Sequence, residues 1–539
     1  MQRPSTSMAA AGHGKVAEAA MTRTRRGRTP WKALGGVLGV LLLSIGVTGY
    51  VVIRHMTPAA EEQINYRLED NTRMLQAQLA GVDRQVLRSL EPAILEKSLS
   101  ELQDSVARGE LTYEQIMGFY LDRIARIDQT EGGLNSFSTL NPEALAEARA
   151  ADAARAAGQA GDSPLFGLGV AVKDNISTTG LPTTAGTMAL AEFTPTDAPL
   201  VAQLRARGAI VLGKANMSEW ANYMSSRMPS GYSSYSGQTF NPFGPGVISP
   251  SGSSSGSAVA VTANLAPVAL GTETTGSLVS PAAVNSVVGF KPSHELVDGR
   301  GVVPLALSLD TVGSMGRSVA DAAALLHAVV PDGAAPTPHF DAAALAGSRL
   351  GVVASGDDAV DAQVRAALEA AGATLVPLTI DHTGLNNLAV MNAEFAPNYA
   401  SFAATTHAPF ATLAEVVDFN RTDPQRYARY GMNFLETASQ EGSRAATPET
   451  VADMLAEADT RYAGILADDG LDAIVFLDNE EALIVCMAGA PEITVPFLRG
   501  SDGTPRGVTF ATARGADARA LELAYSFEQH THGRVVPEL

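Results

Sequence analysis

Three times in this 539-residue chain a short apolar run ends in a lysine: "GVAVKDN", "IVLGKAN" and "VVGFKPS". Each run is too short for a buried helix and is closed at once by loop-forming residues, so each reads as a strand buried on both faces. The first two are separated by "DAPLVAQLRARG", which has helical spacing, and strand, helix, strand in succession suggests a βαβ unit. "RLGVVASGDDAVDAQVRAALEAAGATLVPL" repeats that order further on, and residues 384–465 read as mainly helical. The fold class expected is α/β, with no internal period of the length that marks a repeat protein. The chain is longer than one usual domain, so either one large domain with appendages or two domains are expected.

Charge and cysteine content narrow the function. A formal charge of -19 argues against nucleic acid, whose phosphates require a clustered Lys and Arg surface. With one cysteine, Cys486, the chain has no intramolecular disulfide and no cysteine-rich metal site. Near the N-terminus, "ALGGVLGVLLLSIGVTGYVVI" runs for 21 residues without a charge, the length of a membrane-spanning helix. Arg23, Arg25, Arg26, Arg28 and Lys32 precede it, against Arg54 and Arg67 after it. That asymmetry puts the N-terminus in the cytoplasm and the folded part outside it. The expected organisation is therefore a basic cytoplasmic segment over residues 1–32, a transmembrane signal anchor over 33–54, a juxtamembrane helical stalk over 55–98 and a catalytic domain over 99–539. In that domain "SELQDSVARGELTYEQIMGFYLDRIARID" reads as two helices broken at Gly109, the second capped by Thr112. "PEALAEARAADAARAAG" reads as a third, ended by Gly158.

The lysines give the first hint of chemistry. There are only six, and a lysine at the end of a buried strand is partly desolvated, which lowers its pKa toward the range where the neutral amine acts as a base. For Lys214 and Lys291 the simpler reading is a cation that reaches water or pairs with an acid. For Lys173, directly before Asp174 and Asn175, both that reading and a catalytic one fit. Candidate nucleophiles lie in "SPSGSSSGSAVAVTANLAPVALGTETTGS", residues 249–277. Within it "GSSSG" matches G-x-S-x-G, the nucleophile elbow of α/β-hydrolases, with Ser254 at its centre. The loop before it, "NPFGPGVISPS", is not the strand that an elbow requires. "SAVAVTANL" reads as a helix on the core, and "GTETTGS" as a second loop whose last residue is Ser277. Either loop exposes the backbone N–H groups an oxyanion needs.

In order and spacing, "VAVKDNISTTGLPTTAGT", "GKANMSEWA", "SGSSSGSAVAV", "LGTETTGSLVSPAAVNSVVGFKPS" and "DTVGSMGRSVADAA" resemble the motifs of the amidase signature family. "AGAPEITVP" and "LELAYSFEQ" resemble its closing segments. The resemblance is dense over about 165–325 and faint over about 340–480, and the wording of "GTETTGS" and "LSLDTVGSMGRS" is nearest to the peptide amidase branch. It implies a large mixed β-sheet flanked by helices on both faces, and hydrolysis of a carboxamide through an acyl-enzyme with no cofactor and no metal. It also implies a triad: Ser277 as nucleophile, Ser253 as a bridging serine after a cis peptide bond, and Lys173 as general base. The backbone N–H groups of Thr274, Thr275, Gly276 and Ser277 match the oxyanion hole, and Ser254 a supporting hydrogen-bond position. Two departures stand out: Thr275 where many members have Gly, and Val279 where many have Arg.

The substrate expected is a peptide amide or other small amide, with the membrane as a partner through the N-terminal helix. Four other readings compete. An esterase of the α/β-hydrolase type would use Ser254, an Asp and a His such as His382 or His530. A Ser and Lys enzyme of the penicillin-binding type needs S-x-x-K, which no lysine here satisfies. A catalytically silent binding protein on the same fold is disfavoured by the intact triad, and a subunit of a tRNA-dependent amidotransferase by the anchor.

Overall fold

The computed structural model describes residues 58–331, 333–440 and 446–539. The strands are β1 (Phe137–Leu140), β2 (Gly169–Lys173), β3 (Ile210–Ala215), β4 (Tyr232–Ser233), β5 (Gly237–Gln238), β6 (Val268–Glu273), β7 (Val288–Lys291), β8 (Thr311–Gly316), β9 (Arg349–Val353), β10 (Thr374–Leu378), β11 (Ala473–Leu477), β12 (Glu492–Arg499) and β13 (Pro505–Ala511). Eleven of them form one sheet in the order β1-β3-β2-β6-β8-β7-β12-β13-β11-β9-β10, and β4 and β5 form a separate hairpin. The sheet is mixed: β3, β2 and β6 run parallel, as do β11, β9 and β10, and the strands between are antiparallel. The lysine-terminated runs are β2, β3 and β7, and every residue in all three is buried. Their apolar composition follows from that, since a strand covered on both faces has no solvent side to make polar. At the edge, β10 is only partly covered and carries the mixed pattern of such a strand.

Parallel pairing of β2 with β6, Val172 opposite Leu270, brings two C-terminal strand ends side by side although nearly a hundred residues separate them in the chain. Lys173 ends one and Glu273 the other. The crevice outside the carboxyl ends of such strands is where α/β sheets place ligands. Between the two strands in sequence, the helix Ser255–Thr262 is buried at every residue and covers the sheet beside them.

The helix signals act as read. Thr112 caps the helix Tyr113–Arg123 in a capping box with Gln115, and Gly109 breaks the chain before it with φ of 73°. The helix Ala144–Ala156 stops just short of Gly158, also at positive φ. Residues 387–440 and 446–468 are mainly helical, and Phe395 and Tyr399 pack edge-on against Trp220 at 5.6 and 5.5 Å between ring centres. These rings belong to a second apolar cluster, separate from the main core under the sheet.

The membrane expectation is corrected. No helix among the described residues is long and apolar enough to cross a membrane. The span expected over 33–54, with the basic segment before it, lies outside the described residues. The transmembrane element of the fold, and the placement in the cell membrane with the catalytic domain outside the cytoplasm, are therefore withdrawn, and so is the objection to an amidotransferase subunit that leaned on them. Within residues 55–98, read as a stalk, the helices Leu68–Gln78, Arg84–Ser89 and Glu91–Ile94 sit on the catalytic core. Leu75, Leu79, Leu87 and Ile94 are buried in its main cluster, and the described residues form one compact unit.

One buried carboxylate ties these N-terminal helices down. Asp122 receives Arg84 Nε at 2.5 Å, Arg88 Nε at 3.0 Å and Arg126 Nε at 2.9 Å. Burial pushes its carboxyl up, but the three guanidinium groups outweigh that and hold it below the ordinary carboxylate value. A depressed folded pKa gives stability that is present above the unfolded value and lost as pH falls through the folded one. Asp122→Ala is expected to destabilise the protein by on the order of 2 kcal/mol at neutral pH. Denaturant midpoints of wild type and variant should converge as the medium is acidified below about pH 4.

Candidate active site

Lys173 is fully buried where β2 ends. Its Nζ lies 2.8 Å from Ser253 Oγ, 2.8 Å from Ser254 Oγ, 2.8 Å from Thr272 Oγ1 and 3.0 Å from Thr272 O. All four neighbours are neutral oxygens. Burial pushes its pKa down to about 7, and the charges of Asp310 and Glu273, acting from a distance, offset only part of that. The other two strand-end lysines are engaged differently. Lys214 lies 3.9 Å from Asp174 and donates to Thr183 and to the Ile176 carbonyl; Lys291 donates to the Ala490 and Pro292 carbonyls.

The serine loop is shaped by close backbone approach. The Gly252–Ser253 peptide bond is cis. A Cβ on Gly252 would lie 2.4 Å from Ser218 Oγ, and one on Gly256 would lie 2.3 Å from Ser136 O and 2.4 Å from Asn216 O. No side chain fits at Gly256 without moving a neighbouring backbone. Ser254, the centre of G-x-S-x-G, is fully enclosed: Oγ donates to Thr272 O at 3.0 Å and accepts from Thr272 N–H at 3.3 Å and from Lys173. His382 is hydrogen-bonded to Glu481 and His530 to the Ser526 carbonyl, so neither histidine of the esterase reading is turned to Ser254.

The second loop leaves β6 and reaches Ser277. It is fastened to the first by the Ser254 N–H, which donates to the Ser277 carbonyl at 3.2 Å, and by Ser251 and Ser280, whose hydroxyls are 2.8 Å apart. Among the described residues, the N–H groups of Thr275, Gly276 and Ser277 make no intramolecular hydrogen bond. Gly276 has φ of 74°, which glycine adopts at no steric cost. Thr274 Oγ1 donates to Asp310 Oδ1 at 2.6 Å, and the other Asp310 oxygen accepts the Leu305 and Ala306 N–H groups. Burial pushes Asp310 up to about 6. Glu273 Oε2 accepts the Leu278 and Val279 N–H groups at 2.7 and 3.2 Å, holding the chain just after Ser277.

Lys173, Ser253 and Ser254 are thus in direct contact, and Ser277 joins them through its backbone. Five groups escaped the sequence reading. Thr272, Glu273, Asp310 and Glu492 stand inside stretches quoted above and carried no sign of their partners. Asn479, whose side chain packs against Gly276, belongs to a stretch without recognisable motifs.

The sequence profile of the amidase family matches residues 115–476. The chain belongs to the amidase family. It is a hydrolase of amide carbon–nitrogen bonds. A probable amidase of Arabidopsis thaliana is 33% identical over 489 residues, which cover 85% of this chain and 94% of that one. Among solved structures, an amidase family protein from Bacillus anthracis superposes with a TM-score of 0.85 at 37% identity, covering 89% of this chain and 100% of that one. The native peptide amidase of Stenotrophomonas maltophilia gives 0.76 at 36% identity, covering 82% and 99%.

The glycine contacts make this amidase's serine loop intolerant of a single methyl group. Gly256→Ala is expected to lower stability by about 1–3 kcal/mol or more. Gly464→Ala, in the helix Pro448–Asp468 with nothing within 4 Å, should raise it by about 0.5–1 kcal/mol, and thermal unfolding of the two variants checks both signs.

Proposed function

We propose that the amidase cleaves a carboxamide with Ser277 as nucleophile, Ser253 as proton relay and Lys173 as general base. The observation that carries this reading is the 2.8 Å contact between Ser253 Oγ and a buried lysine that has no carboxylate in contact. An amine that loses its proton near neutrality can receive the Ser253 O–H hydrogen bond on its lone pair. Ser253 gives its proton to Lys173 as it takes the one from Ser277, and Ser277 Oγ bonds to the amide carbon. The carbonyl oxygen becomes an oxyanion, for which the N–H groups of Thr274, Thr275, Gly276 and Ser277 are the donors. The relay then runs backwards, protonating the amide nitrogen as its bond to carbon breaks. Ammonia or an amine departs and an ester remains on Ser277. Water attacks that ester with the same relay as its base, releasing the acid and restoring both serines and neutral Lys173.

A peptide amide, or another small amide, is the substrate that the likeness to a peptide amidase favours. The region 384–480, where the family motifs fade, shapes the mouth and sets this choice. It reaches the site through Glu394, which accepts the N–H of Ser308 beside the Asp310 turn. A panel of C-terminal peptide amides, fatty-acid amides and cell-envelope amides should give the highest kcat/KM on the first group, and a preference for either other group would reject it. Turnover by the purified chain alone separates this reading from that of an amidotransferase subunit.

Because only neutral Lys173 accepts a proton, kcat/KM should rise tenfold per pH unit below about 7 and level off above it. A profile flat across that interval would reject Lys173 as the base. Lys173→Ala and Ser277→Ala should each cost on the order of 1,000-fold or more in kcat with unchanged thermal midpoints, and full activity in either would overturn the triad.

A further inference from the structure

Behind the nucleophile loop lies a second polar cluster that the proposed mechanism does not use. Glu273 on β6, Glu492 on β12 and Cys486 on the helix Ala482–Met487 bring their ligand atoms within 4.8 Å of one another, all fully buried. Cys486 Sγ is 3.0 Å from Glu273 Oε1 and 3.4 Å from Glu492 Oε1. Lys291, directly across from Glu492 in the β7–β12 pairing, adds a positive charge, and Tyr462 also faces Glu492.

The two carboxyls are treated unequally. Glu273 is met by the Leu278 and Val279 N–H groups and the Cys486 thiol, and three donors favour its charged form. Glu492 Oε2 is buried without any donor. Two ionised carboxylates beside one ammonium would leave an uncompensated charge in a dry interior, whereas one proton on Glu492 makes the group neutral overall and supplies the missing hydrogen bond. Burial pushes both carboxyls up. With the Glu492 carboxyl, the Lys291 charge and the Cys486 thiol beside it, Glu273 nevertheless lies below its ordinary value, while Glu492, beside the Glu273 charge, rises well above its own.

We infer that Glu492 is a positioning residue for amide hydrolysis: as a neutral acid it donates to ionised Glu273, which grips the Leu278 and Val279 N–H groups and so fixes the Ser277 loop. This rests on Ser277 being the nucleophile. A metal ion is a poorer complement to this cluster than a proton, because the lone pairs of Glu273 are already taken by N–H and S–H donors and Lys291 supplies the cation.

The rate of Ser277 labelling by a fluorophosphonate, followed by peptide mapping, tests it beside amide turnover. Glu492→Gln keeps a neutral N–H donor and should hold both rates within about threefold, whereas Glu492→Ala should lower kcat at least about tenfold with KM within about twofold. The infrared difference spectrum of wild type minus Glu492→Gln at alkaline pH should show the carbonyl stretch of a protonated carboxylic acid, and this holds even where Glu492→Ala fails to fold. Loss of activity in Glu492→Gln equal to that in Glu492→Ala, full activity in Glu492→Ala, absence of the acid band, or a stoichiometric metal in the purified protein would each overturn the inference. Failure of the triad reading shows separately, as wild-type protein whose label does not map to Ser277.

Discussion

Everything near the site follows from burying one amine at the end of a strand. Lys173 enters the interior because β2 is covered on both faces, and the sheet offers it hydroxyl and carbonyl oxygens but no contacting carboxylate. A charged ammonium is costly to hold there, so burial lowers its pKa to about 7. Lys214, at the end of the neighbouring strand, has a carboxylate 3.9 Å away and keeps more of its affinity for a proton, with a pKa lowered only to about 8. The two lysines lie one register position apart on paired strands, and the nearby carboxylates, Asp174 foremost, act on Lys214.

The serine loops inherit their geometry from the same strands. β2 and β6 are parallel neighbours, so a residue ending one and a loop leaving the other must meet. Ser254 completes the junction: its hydroxyl reaches Lys173 and both polar groups of the Thr272 backbone, and its N–H reaches the Ser277 carbonyl. Its hydroxyl is fully enclosed. A G-x-S-x-G match cannot convey that, because the pattern specifies small neighbours and says nothing of what surrounds the hydroxyl.

What the sequence made legible is what repeats locally. The apolar runs became buried strands, the capping signals at Thr112 and Gly109 became helix ends, and the ordered motifs named the serines and the lysine that meet. What it hid is long-range. An amphipathic pattern over residues 55–98 fits a free stalk as well as three short helices lying on a core, and only the contacts of Leu75, Leu87 and Ile94 decide for the core. The meeting of Glu273 with Glu492 and with Cys486 joins residues more than two hundred positions apart in sequence. No spacing rule reaches so far.

The two departures from the family pattern look different once the loop's fastenings are known. Thr275 turns its hydroxyl onto the carbonyl of Thr274 at 2.8 Å, so its side chain is occupied within the turn. Val279 is fully buried, and its contribution to the loop is a backbone N–H given to Glu273, a bond that any non-proline residue could supply. The positive charge facing Glu273 comes from Lys291 on β7. The loop is therefore held by main-chain groups and by one carboxylate from its own strand, and substitutions at 275 and 279 change its surroundings while leaving those bonds in place.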